Sequence, residues 1–121
     1  TGLELNYLGE HVFAYSGSVS VANVDVNLID STSGAGYIIA QIQMGYGQID
    51  NPDNYEYEIK LNGIDIFAYT VDHSLAGTAS EPDNVMNIII PPYTRIQLVS
   101  RNRSDDTANN QFAILIGKVY K

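Results

Sequence analysis

Residues 55–71 constrain this chain more than any other stretch. Tyr55, Tyr57, Ile59 and Leu61 alternate with Glu56, Glu58 and Lys60, the period of two that marks a half-buried strand. The run enters Asn62-Gly63, a pair that accepts positive φ at both central positions of a type I′ turn, so a return strand over Ile64–Val71 is expected. A two-residue loop sets the register. It predicts Leu61 opposite Ile64, Ile59 opposite Ile66 and Tyr57 opposite Ala68 on the core face. On the other face it predicts Lys60 opposite Asp65, Glu58 opposite Phe67, Glu56 opposite Tyr69 and Asn54 opposite Val71. Three large apolar groups would then stand on the solvent side. Either a loop or the N-terminal arm covers them, or a neighbouring subunit does.

The remaining chain repeats this grammar. Short apolar runs are separated by turn residues, and no stretch holds a helical period. His11–Tyr15 reads as a short strand. Ser18–Ile29 changes phase near Ala22-Asn23, which predicts a bulge or two strands meeting at a bend. Ser31–Gly36 reads as a loop, and Tyr37–Met44 as a strand with Ile38, Ala40, Ile42 and Met44 on one side. Loops are expected from Gly45 to Asn54 and from His73 to Asn84. Val85–Ile90 is a strand stopped by Pro91-Pro92, which cannot donate ladder hydrogen bonds. Thr94–Ser100 follows with Ile96 and Leu98 inward. Gln111–Tyr120 is apolar in both phases, so a strand buried on both sides is predicted, either central in a sheet or against a partner. About eight strands at this spacing describe an all-β, two-layer antiparallel β-sandwich of jelly-roll type. Residues 1–9 are expected to form an arm and residues 10–121 a single sandwich domain. A chain of 121 residues, 45% hydrophobic, suffices for one such core.

Charge narrows the partners. The formal net charge is −8, and residues 1–59 hold eight acids with no Lys or Arg. Phosphate recognition needs clustered cations, so no nucleic-acid partner is expected, and the same argument disfavours an anionic membrane surface. No apolar run approaches the length of a membrane-spanning helix. The first residues, Thr1-Gly2-Leu3-Glu4, lack the pattern of a signal peptide, although a processed precursor stays open. Half of the positive charge sits at Arg95, Arg101 and Arg103. Two readings stand: a self-satisfied loop of alternating charge, or the counterpart of the acidic half of a neighbouring subunit. Head-to-tail pairing of the second kind closes into rings such as trimers.

Chemistry is sparsely supplied. There is no cysteine, and the histidines are His11 and His73 alone. No nucleophile elbow or phosphate loop occurs, so no enzyme activity, catalytic residue or cofactor is expected. A hydrolase would need two close carboxylates with separated pKa values in a pocket. Asp50-Asn51-Pro52-Asp53-Asn54 offers oxygen donors of the kind calcium takes, but lacks the EF-hand pattern and reads as a plain turn, so no metal is expected. Nine tyrosines and eleven asparagines suit sugar binding, although the chain has no Trp. The single glycosylation sequon, Asn102-Arg103-Ser104, is what chance gives at this composition.

The run Ile88-Ile89-Ile90-Pro91-Pro92-Tyr93-Thr94-Arg95-Ile96-Gln97-Leu98-Val99, with the terminal Leu115-Ile116-Gly117-Lys118-Val119-Tyr120, resembles the ending of small β-sandwich virion proteins of tailed phages. The Tyr55 hairpin is similar to hairpins of capsid decoration and knob proteins. The resemblance implies a non-enzymatic capsid decoration or cement protein, made in the host cytoplasm and carried on the capsid surface. It implies a homo-oligomer, a trimer above others, that contacts a shell protein. The implied contact surfaces are the arm with Leu3, Leu5, Tyr7 and Leu8, the hairpin face with Phe67, Tyr69 and Val71, and the doubly apolar last strand. Tyr93, Arg95, Arg101 and Arg103 are further expected contact residues. A carbohydrate- or receptor-binding module is the alternative.

Overall fold

The computed structural model describes residues 4–46, 54–72, 82–103 and 109–121. They form ten strands: β1 (Asn6–Leu8), β2 (His11–Tyr15), β3 (Val19–Val21), β4 (Val26–Thr32), β5 (Tyr37–Tyr46), β6 (Asn54–Leu61), β7 (Ile64–Asp72), β8 (Pro82–Ile90), β9 (Arg95–Asn102) and β10 (Asn109–Tyr120). Two antiparallel sheets result. One runs β1-β2-β10-β5-β8, with β3 pairing the start of β10, and the other runs β4-β9-β6-β7.

The pairing follows a single rule. β6 pairs β7, β5 pairs β8, β4 pairs β9, and β2 and β3 together pair β10. These are nested pairs of one long hairpin whose tip is Asn62-Gly63. Rolling that hairpin brings β5 beside β10 and β6 beside β9, and this closes a two-layer jelly roll. The expected eight strands count Ser18–Ile29 as one. The two further strands arise because β1 adds at an edge and that run divides into β3 and β4.

Ser16 and Gly17 make the break between β2 and β3. Gly17 adopts φ +72°, a conformation costly for other residues. Ser16 keeps the ladder intact, since its backbone N–H donates to the Ala113 carbonyl (3.0 Å) and its Oγ accepts from the Ala113 N–H (2.8 Å). The phase change read at Ala22-Asn23 proves to be a bend at which the chain passes from the six-stranded sheet (β3) to the four-stranded one (β4). A bulge does occur, but at Leu28, which lets the consecutive Leu28 and Ile29 both turn inward.

The hairpin register is a correction to the sequence reading. The turn forms as expected, with φ of 51° at Asn62 and 81° at Gly63, and Leu61 and Lys60 face Ile64 and Asp65. Ile66 is then an extra residue outside the ladder. From there Ile59 faces Phe67, Glu58 faces Ala68, Tyr57 faces Tyr69 and Tyr55 faces Val71. One inserted residue flips every later side chain. Phe67 and Tyr69 therefore stand on the same face as the buried Tyr57 and Ile59, the inner and not the outer side of the sheet, and Phe67 on the edge strand stays 44% exposed.

The core lies between the sheets. Ile38, Ala40, Ile42 and Met44 of β5, Ala113 and Leu115 of β10, and Val12 and Ala14 of β2 meet Tyr55, Tyr57 and Ile59 of β6 and Ile96 and Leu98 of β9. Three loop assignments shrink: β4 continues through Thr32, β5 through Tyr46, and β8 begins at Pro82. The rest of the two longer loops, including the Asp50–Asp53 stretch and His73, lies outside the described residues. The loop after β4 and the Pro91-Pro92 turn are fastened together. The Ser33 hydroxyl donates to the Pro91 carbonyl (2.7 Å) and accepts from the Thr94 N–H (2.9 Å), while the Tyr93 N–H reaches the Gly34 carbonyl (2.9 Å).

Candidate interaction surface

The outer faces of the two sheets differ in chemistry. On the four-stranded sheet the outward positions carry charge. Arg95 forms a two-point pair with Asp30 (2.8 and 2.7 Å), and this guanidinium holds the Asp30 carboxyl below its usual range. Arg103 reaches Glu56 at 2.6 Å, and Arg101 bonds the Asn23 side chain at 2.9 Å with Asp25 at 3.8 Å. The three arginines are thus engaged by the acidic half of their own chain, not held ready for a neighbour. Glu58 sits against the buried Val99 in the same layer. Burial first, then hydrogen bonds with Asp65 and Glu56 and their charge, push its carboxyl up to about 7.

The outer face of the six-stranded sheet is apolar. Its rows can be read across the strands from the register. Phe13, Ile116, Gln41 and Asn87 form one, and Tyr15, Ile114, Gln43 and Val85 a second. Leu8, His11, Lys118, Ile39 and Ile89 form a third. Ile116 is 58% exposed, Ile89 59%, Tyr15 55% and Phe13 46%. The polar positions within the rows are mostly neutral amides. Tyr37 and Tyr120, stacked at 5.5 Å, close one end of the face. The last strand is central, as expected from its composition, but only one of its sides is buried: Ala113 and Leu115 enter the core while Ile116 faces out. The signal that could have located this face was the second apolar phase of β10 combined with Phe13, Tyr15 and Ile39.

The residues expected to make contacts are dispersed. Leu3 lies outside the described residues. Leu5 is buried in the subunit's own core, and its N–H donates to the Ser31 Oγ at 3.2 Å. Tyr7 and Leu8 belong to β1 on the sheet edge, and Leu8 is exposed on the apolar face. Phe67 packs edgewise near Tyr69 (5.5 Å), which in turn lies 5.3 Å from Tyr57. Val71 is placed by register opposite Tyr55. Tyr93 is exposed at the tip of the Pro91-Pro92 turn. Asn102 of the sequon is fully buried on β9, which closes it to a glycan.

A cavity of about 650 Å³ opens at one end of the sandwich, bounded by Tyr7, Gly36 and Tyr120 with Glu10 and Lys118 in its wall. Lys118 lies 3.8 Å from Glu10 and 5.5 Å from the Tyr120 ring centre. Glu58, the carboxyl with the raised pKa, does not line it. Among the described residues no group of three His, Asp or Glu side chains converges as metal ligands do.

No protein-family model matches the chain, and no curated protein does. A solved structure is similar: the infectious bursal disease virus VP2 subviral particle, with a TM-score of 0.51 and 13% identity. The similarity covers 90% of this chain and 32% of that one. It is a likeness of fold. This chain spans about a third of the length of that chain, and the likeness agrees with a β-sandwich fold.

Proposed function

We propose that this chain is a non-enzymatic virion structural protein, a capsid decoration or cement protein that acts through contacts between subunits and with a shell protein. The observation that carries the reading is the apolar outer face of the six-stranded sheet, a surface whose size and composition call for a partner. The fold supports it, because jelly rolls build capsids and the similar structure is that of a viral particle. A homo-oligomer on the capsid surface follows from this reading; the trimer expected from the sequence is the closed form of head-to-tail pairing, whereas pairing through the apolar face gives an even copy number. The arginines no longer argue for head-to-tail closure, since each is engaged within the chain. Mass spectrometry of purified virions tests the proposal. The chain is expected at a fixed ratio to the shell protein, and its absence from the particles overturns the reading.

A carbohydrate-binding module is the second reading, favoured by the cavity beside Tyr7 and Tyr120. Screening of the full chain against immobilised glycans tests it, and binding lost in Tyr120→Ala would move the assignment there.

A further inference from the structure

We propose that the outer face of the six-stranded sheet seats a second copy of this chain, packed face to face about a two-fold axis. The inference rests on the assembly reading above and names the surface and its occupant.

Charge selects the occupant. In a two-fold contact the same patch lies on both sides, so its net charge is doubled and never offset, and a self-pairing face must carry almost no net charge. The chain has 14 acids and 6 bases. Yet among the described side chains of the three rows, Lys118 is the one Lys, Arg, Asp or Glu, and Glu10 in the adjoining turn stands 3.8 Å from it. A basic partner would find nothing to recognise on this face. Among the described residues Asp30, Glu56, Glu58 and Asp65 stand on strands of the other sheet, where Asp30 and Glu56 hold Arg95 and Arg103.

Area agrees. Five strands at about 4.8 Å spacing, with a β5–β10 ladder rising about 3.4 Å per residue, give a face of roughly 600 Å² in plan. Side-chain relief raises the accessible area above the plan figure, towards the roughly 800 Å² per partner of a standard interface. The composition fits as well, with Phe13 and Ile116 in the middle row and Tyr15, Tyr37 and Tyr120 towards the ends, since aromatic residues are enriched in interfaces. Two such faces stack as sheets do in sandwiches, about 10 Å apart.

Light scattering on the full chain over a concentration series tests the proposal, with Ile116→Glu, Ile89→Glu and the control Thr32→Glu, which adds the same charge to the exposed outer face of the other sheet. Both isoleucines are already more than half exposed, so the variants are expected to keep their circular dichroism and melting temperature. The native chain is expected as a species of even copy number, twice the 13.3 kDa chain mass in the simplest case. Each isoleucine variant should raise the dissociation constant at least about tenfold, and Thr32→Glu should leave it unchanged. An oligomer indifferent to Ile116→Glu and Ile89→Glu overturns this face while leaving the virion reading intact. A native chain that stays monomeric at concentrations on the order of 100 μM overturns the self-pairing, and the virion reading is then decided by the particle composition alone.

Discussion

The phenol of Tyr57 donates a hydrogen bond to the Gln111 side-chain oxygen across the interior of the sandwich, joining β6 of one sheet to β10 of the other. Both residues are essentially buried. This is a polar tie between the two sheets, and it lies where β10 leaves its pairing with β3.

Tyr57→Phe is expected to leave the Gln111 oxygen buried without its partner and to cost about 1–3 kcal/mol in urea unfolding. The double variant Tyr57→Phe/Gln111→Met should cost less than the sum of the two single changes, because it removes both halves of the pair. Additive costs would show that the bond contributes nothing specific.

Removal of Ile66 tests the bulge. Ile66 lies outside the ladder and is about half exposed, so its deletion should leave Ile59 opposite Phe67 and change stability by less than about 1 kcal/mol. Deletion of Ala68 instead turns either Phe67 or Tyr69 to the opposite face and should cost on the order of 3 kcal/mol. Thermal melts of the two variants separate these outcomes, and equal losses would contradict the register.

Glu58 gives the fold a pH dependence of defined sign. Its folded pKa, about 7, exceeds the ordinary 4.5, so the folded state holds the extra proton between those values. Its contribution is full below about pH 4.5 and is lost as pH rises through 7. The Lys60 ammonium, 3.8 Å from Glu58 and 3.9 Å from Asp65, stands beyond hydrogen-bond distance and does not reverse the shift. Stability is expected to fall by on the order of 2 kcal/mol across this window. Glu58→Gln should flatten the profile and exceed the native chain at pH 8. Urea midpoints at three pH values read both effects.

Gly117→Ala should be poorly tolerated although alanine is small. A Cβ there would stand 2.8 Å from the Ile39 carbonyl oxygen and 2.9 Å from the Ile38 Cγ2, on the central strand pair. The backbone oxygen cannot swing aside, so a loss of about 1–3 kcal/mol is expected by calorimetry. Gly34→Ala, which meets nothing within 4 Å, is the matched control.

Local pattern determined a large part of this protein. Alternation marked the strands, Asn62-Gly63 placed the hairpin tip, Pro91-Pro92 ended β8, and the apolar phases of β10 put it mid-sheet. These are properties of a few neighbouring residues, so a linear reading finds them. Tertiary structure decided the rest. The bulge at Ile66 wins over the simple two-residue register because it turns Phe67 and Tyr69 towards Tyr57, a gain that only the packed sandwich supplies. Arg95 finds Asp30 once the long hairpin pairs β4 with β9, and Arg103 finds Glu56 only after rolling sets β6 beside β9. The apolar face belongs to the same class: Phe13, Ile39, Ile89 and Ile116 come from four strands, and nothing joins them until the nested hairpin closes into one sheet.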